Sequence, residues 1–346
     1  MRPHILVVGH YPVDPADRAP AVRIRALTAA LGAHAAVTLI ADRRGPRAER
    51  LRAWMRKRPG PQVDAVYVES ASSTATPADL VFLSWVRARR IPLGIFVRDY
   101  YQRFPDLYPP RGARERLMAA AYAATLSAYR RMADVLFFPT GGLAALVGGR
   151  RIHLLPPGGA VLEPPAEGHR LARVVYVGAA HPRDGVPLLL EAWPHVRRRH
   201  PGAELVVVVR PEEWPGWALP EGAVRVAAHG EALAPWLWSA SLAVIPRLDT
   251  AYHRIALPVK LFDYWAHGLG VLVTGRCEAA EWVAREGAGA PVWPPTPSAW
   301  AEALTWALDD PARLQGWSWA ALSAIRARHS WDKRALELLQ VLLGRQ

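Results

Sequence analysis

Short, almost purely apolar runs recur along the chain, separated by longer stretches whose apolar residues return every three to four positions. Residues 5–9, 36–41, 63–68, 91–98, 135–138 and 152–155 read as strands, and helices are expected between them at 21–31, 42–58, 77–89 and 111–133. The first of these helices carries its stripe on Val22, Ile24, Leu27 and Leu31. A Pro-Pro-Gly-Gly turn at 156–159 and a Pro/Glu-rich stretch interrupt the pattern, which then restarts. Strands are expected at 173–177, 204–209, 224–227, 242–245, 271–274 and 290–293. Helices are expected at 187–199, 233–239, 258–268, 279–285, 298–308, 311–329 and 332–343. Strands that are apolar throughout and regularly separated by helices predict parallel sheets covered on both faces. The fold class is α/β, with two doubly wound halves at 1–160 and 161–330 and a closing helix at 331–346 that packs back toward the first half. In such folds ligands lie at the carboxyl ends of the strands, here expected between the two halves.

Composition narrows the setting. With 51% hydrophobic and 9% aromatic residues, 346 residues suffice for two cores. The tryptophans of the last helices (Trp300, Trp306, Trp317, Trp319, Trp331) read as packing residues. Cys277 is the single cysteine, which excludes an internal disulfide and a cysteine-based metal site. No run approaches the roughly 18 apolar residues of a membrane span, and the apolar start reads as a strand, not a signal peptide. A cytoplasmic protein is expected, either soluble or peripheral at the inner face of the plasma membrane.

Charge is distributed unevenly. The first 160 residues hold 24 Lys and Arg against 11 Asp and Glu, whereas the remainder balances at 19 of each, so the whole formal charge of +13 lies in the first half. An anionic partner is implied. The segment from Asp42 to Arg58 sets eight basic residues around an apolar stripe of Leu51, Trp54 and Met55. That is the pattern of a helix lying on an anionic membrane, or of a helix packing its stripe on its own sheet with arginines in water. No nucleic-acid motif accompanies the charge, and nucleic acid is not expected as a partner.

The stretch 242–274 holds the densest candidate chemistry. It reads as strand, polar loop, helix opening at Pro258 and closing at Gly268, and strand. His253 and Arg254 precede the helix and Lys260 lies in its first turn, where free N–H groups and the dipole already favour an anion. Lys260, Asp263 and His267 share one face, placing a cation at the helix opening and a carboxylate one turn further in, an order of charge that suits a pyrophosphate followed by a sugar with vicinal hydroxyls. A buried helix with a few solvated charges would give the same spacing. In the first half, the loop after the first strand has one glycine where a dinucleotide fingerprint needs three, which argues against NAD or FAD. Asp99 closes a strand and enters an aromatic, arginine-bearing loop, where a carboxylate suits acid–base work or acceptor binding, or acts as a cap or ion-pair partner.

These stretches together resemble the GT-B glycosyltransferases, two Rossmann-like domains flanking a cleft, and within them the large, mostly retaining bacterial family that uses nucleotide sugars. The most specific piece runs from Pro258 to Gly268 and is similar to the family's P-x-K-hydrophobic-x-E-Y-x-A-x-G motif with Asp263 for Glu. Tyr176-Val177-Gly178 followed by Arg183, Leu155-Pro156-Pro157-Gly158 and the segment 278–289 are similar too. The resemblance implies a nucleotide-sugar donor on the C-terminal domain, a UDP- or GDP-sugar, with no metal and no further cofactor. Asp263 would hold the ribose hydroxyls, Arg183 and Lys260 the diphosphate, and Arg210 and His229-Gly230 would border the base. The acceptor, a sugar or lipid-linked sugar, would lie on the basic N-terminal domain, in polysaccharide, glycolipid or cell-surface glycan synthesis. Two departures stand out. The family's first motif acid falls on Ile255, and Asp99 occupies the strand end where a histidine is frequent, so the stereochemical outcome is open. A non-catalytic GT-B-like subunit that binds a sugar nucleotide or activates a partner transferase, and a sugar-nucleotide epimerase, remain as alternatives.

Overall fold

The computed structural model describes residues 2–14, 19–57, 62–165 and 172–344. Arg58, part of the loop after the first strand and the end of the Pro/Glu-rich stretch lie outside them. The chain divides into two compact units, Met1–Pro157 with Trp331–Gln346, and Gly158–Ser330.

In the first unit the strands β1 (His4–Gly9), β2 (Ala36–Ala41), β3 (Ala65–Glu69), β4 (Leu93–Phe96), β5 (Val135–Phe138) and β6 (Ile152–Leu154) form a parallel sheet in the order β2-β1-β3-β4-β5-β6 among the described residues. The order reverses beside β1, which opens a crevice where β1 and β3 end. The helices are α1 (Ala19–His34), α2 (Arg44–Met55), α3 (Pro77–Ala88), α4 (Ala113–Met132) and α5 (Gly141–Val147). The apolar periodicity does not show α5; Thr140 caps it through its hydroxyl. The closing helix (Trp331–Leu343, here α13) buries Ala335, Leu338 and Leu342 against Ile5, Leu27, Leu31 and Phe137. Gly94 permits this approach, since a Cβ there would come 2.6 Å from Leu342.

The basic helix α2 turns its apolar stripe inward. Leu51 and Trp54 belong to the buried core with Phe82 and Val86, and Arg47 is itself buried in a two-bond pair with Asp79 at 2.9 and 3.0 Å. Within the described residues, Leu51, Trp54 and Met55 are therefore spent on the unit's own core. Among the described residues no helix is long and apolar enough to cross a membrane.

In the second unit β7 (Arg173–Val177), β8 (Glu204–Val208), β9 (Ala223–Val226), β10 (Leu242–Ile245), β11 (Gly270–Thr274) and β12 (Gly289–Val292) form a parallel sheet in the order β12-β11-β10-β7-β8-β9. Its helices are α6 (Val186–Arg199), α7 (Ala234–Ser239), α8 (Ala251–Ile255), α9 (Lys260–Ala266), α10 (Glu278–Glu286), α11 (Pro297–Leu308) and α12 (Pro311–Ala324), the last running into a wider turn at Ile325–His329. The reversal point lies between β7 and β10. Trp300 is in the core, but Trp306 and Trp319 are 47% and 67% exposed, against the expectation that this set is all packing.

Candidate functional site

The reversal point of the second sheet gathers most of the expected residues. β7 ends at Gly178, whose φ of +151° strains any other residue; a Cβ there would lie 2.5 Å from Lys260 Nζ. Glycine thus lets the ammonium of Lys260 sit against the strand end. The same ammonium lies 4.3 Å from the ring centre of the buried Tyr176, whose hydroxyl donates to the Ala179 carbonyl at 2.6 Å. Tyr264 ties α9 to this place by accepting the Val177 N–H at 2.8 Å through its hydroxyl oxygen.

Desolvation, with repulsion from Arg247 added and attraction from Asp184 opposing, lowers the Lys260 pKa to about 7. One turn further, the densely surrounded Asp263 carboxyl is raised to about 7 by desolvation. Both side chains keep a solvent-facing edge. The Asp263 carboxylate takes no hydrogen bond from the described residues, although its own main-chain carbonyl accepts from His267. His267 closes α9 in this way, its ring tilted against that of Trp238 at 4.8 Å between centres, and Gly268 supplies the left-handed cap at φ +62°.

Arg183 stands in the loop after β7, in a turn at Pro182–Asp184 capped by His181, and its carbonyl accepts the Leu248 N–H at 3.0 Å. Gly185, at φ +80°, presses this loop onto the loop after β10, since a Cβ would meet the Pro246 carbonyl. Arg210 follows β8, and His229-Gly230 follow β9 at the exposed margin. Lys260 and Arg183, then Arg210, then His229 therefore succeed one another across the strand ends from β10 to β9. Three strand spacings of about 4.8 Å make a track of roughly 14 Å.

Of the two basic residues expected beside this helix, one is neutral and the other is paired. His253 is buried, donates Nδ1–H to the Leu248 carbonyl at 2.8 Å, and is lowered to about 4 by desolvation and by Arg247, so it is neutral at pH 7. Arg254 is exposed and committed to Asp249 through two 2.7 Å bonds. Both belong to α8, a short helix capped by Thr250 where a polar loop is expected. Ile255, at the position of the missing acid, ends it.

Arg247 is a further cation at this place. It stands two residues after the end of β10, its buried Nε has no hydrogen-bond partner among the described residues, and it perturbs Lys260, His253, Tyr176 and Cys277 together. With His253, Pro258, Thr274 and Cys277 it lines a small pocket beside the start of α9. The available sequence signal was a basic residue at the carboxyl end of a strand.

Asp99 belongs to the other unit. Its carboxylate accepts the Tyr101 hydroxyl at 2.8 Å and its carbonyl the Tyr122 hydroxyl at 2.9 Å, while the neighbouring Arg98 turns to Glu69 instead.

Residues 172–310 match the model of a family described as glycosyl transferases group 1. Whole-chain likeness appears among solved structures. Sucrose-phosphate synthase from Thermosynechococcus elongatus superposes with a TM-score of 0.69 at 17% identity over 98% of each chain. HepE from Anabaena, in complex with UDP and glucose, gives 0.68 at 13% over 99% of this chain and all of that one. WaaG, a glycosyltransferase involved in lipopolysaccharide biosynthesis, gives 0.67 at 15% over 99% and 100%. The fold is GT-B. The GT-B resemblance drawn from the sequence holds, and the family match falls on the second unit, which carries Gly178, Arg183, Lys260 and Asp263. Sugar transfer is the chemistry this match supports. No curated relative matches the sequence.

Proposed function

We propose that the chain is a glycosyltransferase that moves a sugar from a nucleoside diphosphate to a hydroxyl acceptor, with the donor on the second unit and the acceptor on the basic first unit. One observation carries the reading: Lys260 and Asp263 lie one turn apart at the sheet's reversal point, the cation against a strand end that only glycine fits and the carboxylate without a hydrogen bond to the described residues. A diphosphate meets Lys260, Arg183 and Arg247, and the ribose hydroxyls donate to Asp263. The track across β8 and β9 takes the base past Arg210 to His229-Gly230.

The reaction breaks the bond between sugar C1 and the phosphate oxygen, and the electron pair leaves with the diphosphate. Fixed cations facing that oxygen stabilise the charge as it develops, which supplies the leaving-group assistance without a metal. The acceptor oxygen forms the new bond to C1 and gives up its proton. Asp99, held in place by Tyr101, is the group we assign to accept that proton or to orient the hydroxyl. A glycan or glycolipid product, with a sugar or lipid-linked sugar acceptor, is in keeping with the charge of the first unit.

The test is thermal shift with UDP-, GDP-, ADP- and dTDP-sugars, since a ligand of the native state alone raises its apparent stability. A shift with one nucleotide, lost in Lys260→Ala, is expected. A cooperatively melting protein that responds to none would remove the donor assignment and favour a non-catalytic subunit.

A further inference from the structure

At the carboxyl edge of the first sheet, two arginines share one carboxylate. Glu69, the last residue of β3, is 1% exposed and accepts Arg23 Nε at 2.8 Å and the Tyr67 hydroxyl at 2.8 Å on one oxygen, and Arg98 Nη2 at 3.2 Å on the other. Arg23 is equally buried; its Nη2 donates to the Leu155 carbonyl at 3.2 Å, and its buried Nη1 has no partner among the described residues. Arg98, two residues beyond the end of β4, is 11% exposed, and its buried Nε has no partner among the described residues either. The cluster therefore carries one positive charge more than it neutralises, with two buried guanidinium nitrogens left without a partner among the described residues.

Burying such a charge costs several kcal/mol unless something offsets it. Aromatic faces offset part of the cost: Arg23 lies 3.9 Å from the ring centre of Phe96, and Arg98 5.7 Å from that of Tyr11. Neither ring accepts a strong hydrogen bond. The cluster also stands where β1 and β3 end, at the reversal point of the sheet. The adjoining loops hold three further buried polar atoms without a partner among the described residues, Ser72 Oγ, Thr74 Oγ1 and Gln102 Oε1.

We propose that Arg98, backed by Arg23, binds an oxyanion carried by the acceptor, a phosphate or a carboxylate. The anion takes the free donors of a guanidinium already fixed by Glu69, and its charge completes the neutralisation that Glu69 leaves half done. The assignment of this anion to the acceptor rests on reading the first unit as the acceptor unit; the binding itself does not.

The experiment is calorimetric titration of the full chain with inorganic phosphate and, separately, with glucuronate. It is done in a Lys260→Gln background so that the second unit contributes no cation at α9. At least one anion is expected to bind, and the one that does names the chemistry. Adding Arg98→Gln should weaken that binding by at least about tenfold, the size of one charge-assisted hydrogen bond. Adding Glu69→Gln should tighten it, on the order of three- to tenfold, because a competing negative charge disappears while a hydrogen-bond acceptor for Arg23 is kept. A purely structural trio would not gain affinity on losing its carboxylate. The proposal is overturned if neither anion binds, if Arg98→Gln binds equally well, or if Glu69→Gln binds no more tightly; should Arg98→Gln fail to fold, the Glu69→Gln arm decides. Failure of the transferase reading is a different result, namely no nucleotide response in the unsubstituted protein.

Discussion

Asp263→Asn separates stability from function at the donor site. In the unfolded chain the carboxyl ionises at 3.8, in the folded protein at about 7. For an acid whose folded pKa is raised, the folded state holds the proton longer. Stability is therefore lost as pH rises from the unfolded value to the folded one, and stays lost above it. The full shift corresponds to roughly 4 kcal/mol. Because the carboxylate keeps a solvent-facing edge, about half, ~2 kcal/mol, is the working figure. Asparagine removes the ionisation. The variant should be more stable than the parent by about 2 kcal/mol at pH 8, a gap that shrinks to about half at pH 5.

Urea unfolding of both proteins at the two pH values measures this, and in melting the gap at pH 8 should appear as about 4–8 °C for a unit of this size. The same substitution should weaken nucleotide-sugar binding by about 1.5–3 kcal/mol, because asparagine offers the ribose one acceptor oxygen and no charge. A stabilised fold with weakened binding is the signature of a carboxylate kept for a ligand. An Asp263→Asn protein less stable at pH 8, or a gap indifferent to pH, would refute the desolvation argument. Undiminished binding would refute the ribose assignment.

Three further outcomes follow from the same geometry. Lys260, half deprotonated near pH 7, should take up a proton when a diphosphate binds; titrations at pH 7.5 in buffers of different ionisation enthalpy should show an uptake that Lys260→Ala abolishes. Gly178→Ala should cost about 1–3 kcal/mol through its φ of +151°, and should also weaken nucleotide-sugar binding by displacing the ammonium, so a variant that binds normally would separate Gly178 from the site. Asp99→Asn should leave nucleotide-sugar affinity unchanged while reducing transfer by about 10²–10⁴-fold, and retained turnover would remove it as the proton acceptor.

The alternation of apolar runs and helical stripes makes the two parallel sheets legible, because a strand buried on both faces leaves no polar position to confuse it with a loop. Leu242, Ala243, Val244 and Ile245 show this: all four are buried and together form β10. Charge at the site reads far less well, because the sequence shows which cations are near one another but not which are already neutralised. Arg254 and Arg247 lie seven positions apart and are indistinguishable as residue types, yet one is spent on Asp249 while the other keeps an unpartnered Nε beside Lys260. His253 is the sharper case, since burial and Arg247 together convert an expected cation into a neutral ring. The basic helix α2 fails for the same reason at larger scale: its stripe has the right period for a membrane, but period reports that a face is covered and is silent about what covers it. Only the third dimension distinguishes Arg47, buried on Asp79, from Arg98, whose carboxylate is shared with a second arginine. Candidate positive charge in this chain is therefore found by asking which guanidinium groups keep a buried nitrogen without a partner among the described residues, and Arg23, Arg98 and Arg247 fall at the reversal points of the two sheets.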